Sequence, residues 1–154
     1  MNSWIFPSNP KMYDTLGAFR NLPFVYWTQR LKSIEIGDIV YIYLGSPVSR
    51  IVYKSVVVDK DIPFSGEVLN DKEYWQNGYS FDEYPLTRKY IKLRPLEENF
   101  NEKLNFWGLK SHGETSYLMG AKRIKDEQYL SFVEANFGLP DSSYQDWHQR
   151  NLTH

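Results

Sequence analysis

The stretch Ile36–Val58, IGDIVYIYLGSPVSRIVYKSVVV, holds two runs that are β-branched or aromatic at nearly every position. Side chains of that shape suit a pleated, packed surface. Gly37-Asp38 supplies a turn into the first run, and Gly45-Ser46-Pro47 breaks out of it. The pattern predicts two strands, Ile39–Leu44 and Ile51–Val58, joined by a Ser/Pro turn. Neither run alternates with polar residues, so both faces need cover. That suits the wall of a small closed barrel wrapped by helices. Most of these side chains read as core and nothing more, but the polar residues Ser46, Ser49 and Arg50 sit at the strand ends.

Upstream, Ser3-Trp4-Ile5-Phe6 predicts a short strand stopped by Pro7. In Ser8-Asn9-Pro10, Asn9 either caps a helix or leaves its amide for recognition. Lys11–Arg20 has helix-like spacing of Met12, Leu16 and Phe19. Phe24–Gln29 predicts a strand that carries Trp27 to a rim, with Thr28 beside it, unless Trp27 is simply core. Downstream, Asp59–Glu73 predicts a long loop, of a kind that often carries function, with Asp59-Lys60-Asp61 a solvated turn. Tyr74-Trp75-Gln76-Asn77-Gly78-Tyr79 interleaves aromatics with amides, a composition for stacking on flat ligands or for capping a barrel end.

Tyr90–Pro95 alternates apolar and basic residues and places Lys92 and Arg94 on an outer face. Asn101–Leu109 predicts a short helix capped by Asn99 or Asn101, with Leu104, Phe106 and Trp107 on one side. After a polar loop over 110–120 come a brief strand, Ala121–Ile124, and a last helix, Glu127–Phe137. That helix is capped by Asp126 and striped with Tyr129, Phe132, Val133 and Phe137. The pattern is one domain over residues 1–137 and a polar tail over 138–154.

Composition narrows the function. Hydrophobic residues make up 42% of the 154, and charged residues 24%, as in soluble globular domains. Aromatics reach 17%, more than a core of this size requires, so rings used for binding are expected. The chain has no cysteine, which excludes disulfides, zinc–thiolate sites and thiol nucleophiles and fits a reducing, cytoplasmic setting. No signal peptide is visible, and no apolar run approaches the roughly 20 residues a spanning helix needs. The net charge of −1 argues against a wholesale polyanion binder. Its distribution is uneven: bases dominate from Leu86 to Lys125 and acids from Asp126 onward. A phosphate-contacting face on a near-neutral protein is therefore permitted.

Phosphate-cradling glycine loops and the nucleophile-elbow motif are absent. His112, His148 and His154 are not spaced as metal ligands, and Asp146 with His148 would hold a metal only weakly. No metal and no cofactor is expected.

The order of features resembles the EVE family of the PUA-like superfamily, which also includes the YTH readers of methylated RNA. The residues that carry the likeness are the opening WIFPSNP, Phe24-Val25-Tyr26-Trp27-Thr28, Ile36–Tyr43, Ile51–Val56 and Ser116–Ile124 before the last helix. The resemblance implies an α+β fold, a small PUA-like β-barrel of about five or six strands flanked by helices. It also implies an aromatic-lined pocket for one modified nucleobase. On that reading Trp27 is the first cage wall, and Trp75, Tyr43 and Tyr79 are further walls. Asn9, Ser8, Thr28 and Ser116 read the base edge or close the pocket. Arg50, Lys54, Lys92, Arg94, Lys110, Lys122 and Arg123 meet phosphates. The implied partner is DNA carrying methylated cytosine or adenine, in a modification-dependent restriction or defence system with a nuclease or NTPase domain or subunit. An RNA-binding PUA-like module acting on methylated RNA, tRNA or rRNA is the alternative. A small-molecule enzyme on the same barrel would instead show a sealed pocket without a basic rim.

Overall fold

A computed structural model of the chain describes residues 1–76 and 88–137. Its strands are β1 (Ser3–Ser8), β2 (Val25–Thr28), β3 (Ile39–Leu44), β4 (Arg50–Pro63), β5 (Lys89–Glu98) and β6 (Lys122–Arg123). Its helices are α1 (Thr15–Asn21), α2 (Phe106–Ser111) and α3 (Glu127–Ala135). The strands form one mixed sheet in the order β2-β5-β4-β3-β1-β6, with β1 parallel to β3 and every other pair antiparallel.

Both faces of the central strands are covered, as their unbroken apolar runs require. Trp4, Phe6, Val40, Ile42 and Leu44 pack into one apolar cluster, and their neighbours Ile5, Tyr41 and Tyr43 into a second. The first cluster gathers side chains from β1 to β2, near opposite ends of the strand order, so the sheet curls around it. There α1 contributes Phe19, stacked on Tyr53 at 4.5 Å. The second cluster is covered by Leu109 of α2 and by Tyr129 and Val133 of α3. Val40, Ile42 and Leu44 are each fully buried, which stabilises by about 1.5–3 kcal/mol per side chain.

The turn into β3 is fixed by Asp38. Its carboxylate accepts from the Asn2 backbone N–H (2.9 Å), the Trp4 indole N–H (3.0 Å) and the Glu35 backbone N–H (3.0 Å). Gly37 sits at φ 94°, which a side chain would resist.

Four local expectations are corrected. Pro7 does not stop β1, which runs on to Ser8. The Asn2 and Ser8 carbonyls accept from Ile39 and Gly45 on the β3 side, whereas the Ser3 carbonyl accepts from Ile124 on the β6 side. By alternation Pro7 directs its missing N–H to the β6 side, where pairing has ended after Ile5↔Lys122, so no ladder bond is lost. Second, β4 continues to Pro63, so Asp59-Lys60-Asp61 is bulged strand and not a turn, although both aspartates are exposed as expected. The register shifts twice there, and Asp61 takes φ 54°. Third, α1 begins at Thr15, capped by Asp14 and not by Asn9. Fourth, Asn101–Leu109 is not one helix: Asn101 caps a 3₁₀ turn, Glu102–Leu104, and Asn105 then caps α2. Leu104 is buried whereas Trp107 faces solvent, so they do not share a side. Tyr79 and the tail over 138–154, with His148 and His154, lie outside the described residues.

Candidate functional site

A cavity of about 990 Å³ opens between the end of β1, β2, the β3–β4 turn, the start of β5 and the segments before α2 and β6. Its size is at the upper end for small-ligand sites. Its wall is unusually rich in rings. The half-buried Trp27 meets Tyr13 edge-on at 6.2 Å and Phe19 at 6.4 Å. Tyr13 in turn leans on Trp75 at 5.0 Å. A second group stands where the cavity meets solvent: Phe106 stacks on Tyr117 at 6.2 Å and meets Trp107 edge-on at 5.2 Å. Trp107, Tyr117 and Met119 are 75%, 77% and 89% exposed, too exposed for a core role. Lys11, Arg30 and Arg50 add positive charge to the lining.

At the ring wall lies a buried carboxylate. Asp71 sits between two 3₁₀ turns, Gly66–Leu69 and Lys72–Tyr74, and the Tyr13 hydroxyl donates to its Oδ2. Among the described residues, Oδ1 has no hydrogen-bond partner at ordinary geometry, and neither has the buried Tyr90 hydroxyl. Both residues line the cavity. Burial pushes the Asp71 carboxyl up to about 6, against the opposing pull of Tyr13, its own backbone N–H and the nearby Trp75 indole. Burial, and then the Asp71 charge, raise the Tyr13 hydroxyl. Burial raises the Tyr90 hydroxyl as well; Arg88 pulls it down and Asp71 pushes it further up.

Of the residues singled out from sequence, Trp27, Trp75, Tyr43, Asn9, Ser8 and Thr28 line this cavity. Their roles differ. Asn9 Oδ1 accepts from the Lys11 N–H at 3.0 Å, which engages it in its own turn. Ser8 is buried and shares a 2.6 Å bond with Thr15. Tyr43 is also buried, and burial raises its hydroxyl against the pull of Ser49. Ser116 is not part of the lining: its hydroxyl donates to Glu114 at 2.9 Å and accepts from Leu118 N–H at 3.1 Å, so it shapes the loop before β6.

Among the proposed phosphate contacts, Arg50 alone lines the cavity, and its guanidinium also donates to the Phe100 carbonyl at 2.9 Å. Lys92 lies 3.6 Å from Glu67 and 4.3 Å over the Phe24 ring. Lys110 stands 4.7 Å over Tyr117, at the exposed ring group. Lys122 pairs with the buried Glu114 at 2.7 Å. Lys54 and Arg94 are half-buried in β4 and β5, and Arg123 is exposed on β6. Sequence reading passed over Tyr13, Asp71, Tyr90, Lys11 and Arg30. The one signal for Asp71 was its place in a loop already marked as long enough to carry function.

No protein-family model matches this chain, and no curated protein matches it. Solved structures do. The ASCH protein of Zymomonas mobilis superposes with TM-score 0.62 at 10% identity, over 89% of this chain and 96% of that one. Human THYN1, solved in complex with 5-methylcytosine-containing DNA, superposes with TM-score 0.61 at 11% identity, over 91% of this chain and 100% of that one. A protein of Agrobacterium tumefaciens gives 0.60 at 16% identity, over 90% and 94%. The fold is α+β and PUA-like. At these identities the likeness establishes architecture, shared by ASCH and THYN1 proteins alike. No helix among the described residues is long and apolar enough to cross a membrane.

Proposed function

We propose that this chain is a non-catalytic reader of nucleic acid that holds one extruded, modified base in the ring-walled cavity. The observation that carries the reading is the cavity itself: Trp27, Tyr13 and Trp75 form its wall, and Lys11, Arg30 and Arg50 share its lining. A flat, apolar-faced, edge-polar ligand tethered to phosphates matches that combination. Taking a base out of a stack costs a few kcal/mol, and stacking on aromatic rings returns about 1–3 kcal/mol per base. Positive charge in the lining would hold the flanking backbone. A sealed, uncharged pocket would have favoured a small-molecule enzyme instead.

The fold likeness to THYN1, itself solved with 5-methylcytosine DNA, supports DNA as the polymer and a methylated base as the target. The motifs Phe24–Thr28 and Ile36–Tyr43 support an EVE-type placement within the PUA-like group. On this reading the chain is the specificity module of a modification-dependent defence system whose nuclease or NTPase lies elsewhere.

The test is a titration of the chain with matched DNA and RNA oligomers, with and without 5-methylcytosine or N6-methyladenine. Trp27→Ala should cost the preferred oligomer about tenfold or more, the worth of one stacked base, while circular dichroism shows the fold retained. Equal affinity of the unaltered protein for marked and unmarked oligomers would overturn the reading. Tighter binding of methylated RNA would move the target from DNA to RNA.

A further inference from the structure

Two polar groups at the cavity wall are left with unmet bonding capacity. Asp71 and Tyr90 are 1% and 2% exposed, yet among the described residues Asp71 Oδ1 and the Tyr90 hydroxyl have no hydrogen-bond partner at ordinary geometry. Buried polar atoms in native proteins are nearly always paired, so such pairs of exceptions need a reason. An acceptor held by no hydrogen bond of ordinary geometry, with only the pull of the Trp75 indole beside it, and a hydroxyl without a mate both line one cavity, close enough to interact electrostatically, and ask for a ligand with a donor beside an acceptor.

We propose that Asp71 and Tyr90 form the edge-reading pair of the cavity and select an amino-bearing base. Asp71 Oδ1 accepts from the exocyclic amine, and the Tyr90 hydroxyl donates to the ring nitrogen beside it. Cytosine and adenine share that donor–acceptor edge, whereas thymine and uracil present a carbonyl where the amine would stand. Tyr13 completes the device by donating to Oδ2, which fixes the carboxylate plane and leaves Oδ1 for the ligand. Both reading atoms are closed to water in this arrangement, so a wall ring turns aside when the base enters, a side-chain change common on binding. The pKa of Asp71, about 6, leaves the carboxyl mostly ionised at neutral pH and therefore an acceptor. This inference rests on the reading of the cavity as a base socket.

Short single-stranded oligomers, identical except for 5-methylcytosine, N6-methyladenine or thymine at one central position, separate the alternatives without a flipping cost. The unaltered chain should bind one of the amino-bearing oligomers about tenfold or more tighter than the thymine oligomer. Asp71→Asn keeps an oxygen for Tyr13 but places an amide donor where Oδ1 stood. It should erase or reverse that preference. Tyr90→Phe removes only the unpartnered hydroxyl, so the fold is kept. It should cut the preference several-fold and leave thymine binding unchanged. If Asp71→Asn fails to fold by circular dichroism, Tyr90→Phe alone decides. A clear preference in the unaltered chain that persists in every folded variant overturns the edge-reading pair and leaves the socket standing. No preference in the unaltered chain removes the socket, and the pair with it.

Discussion

Asp38 and Asp71 are buried to almost the same degree, at 2% and 1% exposure, yet they sit in opposite electrostatic conditions. Asp38 receives three N–H donors, two from backbone and one from Trp4. Burial pushes its carboxyl up, but those donors outweigh it and hold the group below the usual carboxylate range. Asp71 receives the Tyr13 hydroxyl and the weaker pull of its own backbone N–H and the Trp75 indole, and burial wins. The difference teaches that burial alone does not mark a carboxylate as structural or functional. What matters is how many of its lone pairs the protein itself fills. Asp38 is closed by its own fold, whereas Asp71 keeps an open valence toward the cavity. Glu114 belongs with Asp38: burial raises it, but Lys122, Ser116 and Tyr129 outweigh that and lower it.

The harshest way to break this contrast is Asp38→Ala. It strands the buried Trp4 indole N–H and two part-buried backbone N–H groups, a buried donor left unmet costing about 1–3 kcal/mol, and should lower the unfolding free energy in urea by about 3–5 kcal/mol.

The pH dependence of stability sharpens it next. The folded Asp71 pKa, about 6, lies above its ordinary 3.8, so the folded state holds that proton more tightly. The resulting stabilisation is full below 3.8 and disappears as pH rises through about 6. At about 1.4 kcal/mol per pH unit this window is worth roughly 3 kcal/mol. Asp71→Asn should remove that downward slope, seen as a flatter difference curve from urea titrations between pH 4 and about 6. Asp38 runs the other way: its lowered pKa gives stability present above 3.8 and lost on acidification. Asp38→Ala should therefore blunt acid destabilisation instead.

The smallest expected effect is Lys122→Met. Glu114 keeps Ser116 and Tyr129, so the loss should be about 1–2 kcal/mol, read as a modest fall in thermal midpoint. A loss as large as that of Asp38→Ala would show that the ion pair, and not the neutral donors, closes the Glu114 site.

Much of the fold could be read from residues. The β-branched runs of β3 and β4 announced strands covered on both sides, and the Asp126 cap announced α3. What stayed hidden depended on partners far along the chain. Asp59–Pro63 looks like loop because Asp and Pro are poor strand formers; bulges opposite β5 carry the strand through them. Trp27 stood out by its place at the end of an aromatic strand, and it does line the cavity. Asp71 offered no local pattern, since its significance arises from Tyr13, 58 positions away. Two bases of the cationic middle are paired with acids, Lys92 with Glu67 far along the chain and Lys122 with Glu114 nearby, pairings that a one-dimensional charge count cannot register.

Pro7 carries one last implication. The sheet ends in β6, a strand only two residues long, so among the described residues no strand pairs the outer side of β1 beyond Ile5. An unpaired strand edge invites an intruding strand from another molecule to zip alongside. A ring nitrogen without hydrogen at position 7 denies that visitor a rung where β6 stops short. The same residue thus leaves the inward ladder to β3 intact and discourages the sheet's growth outward into aggregates.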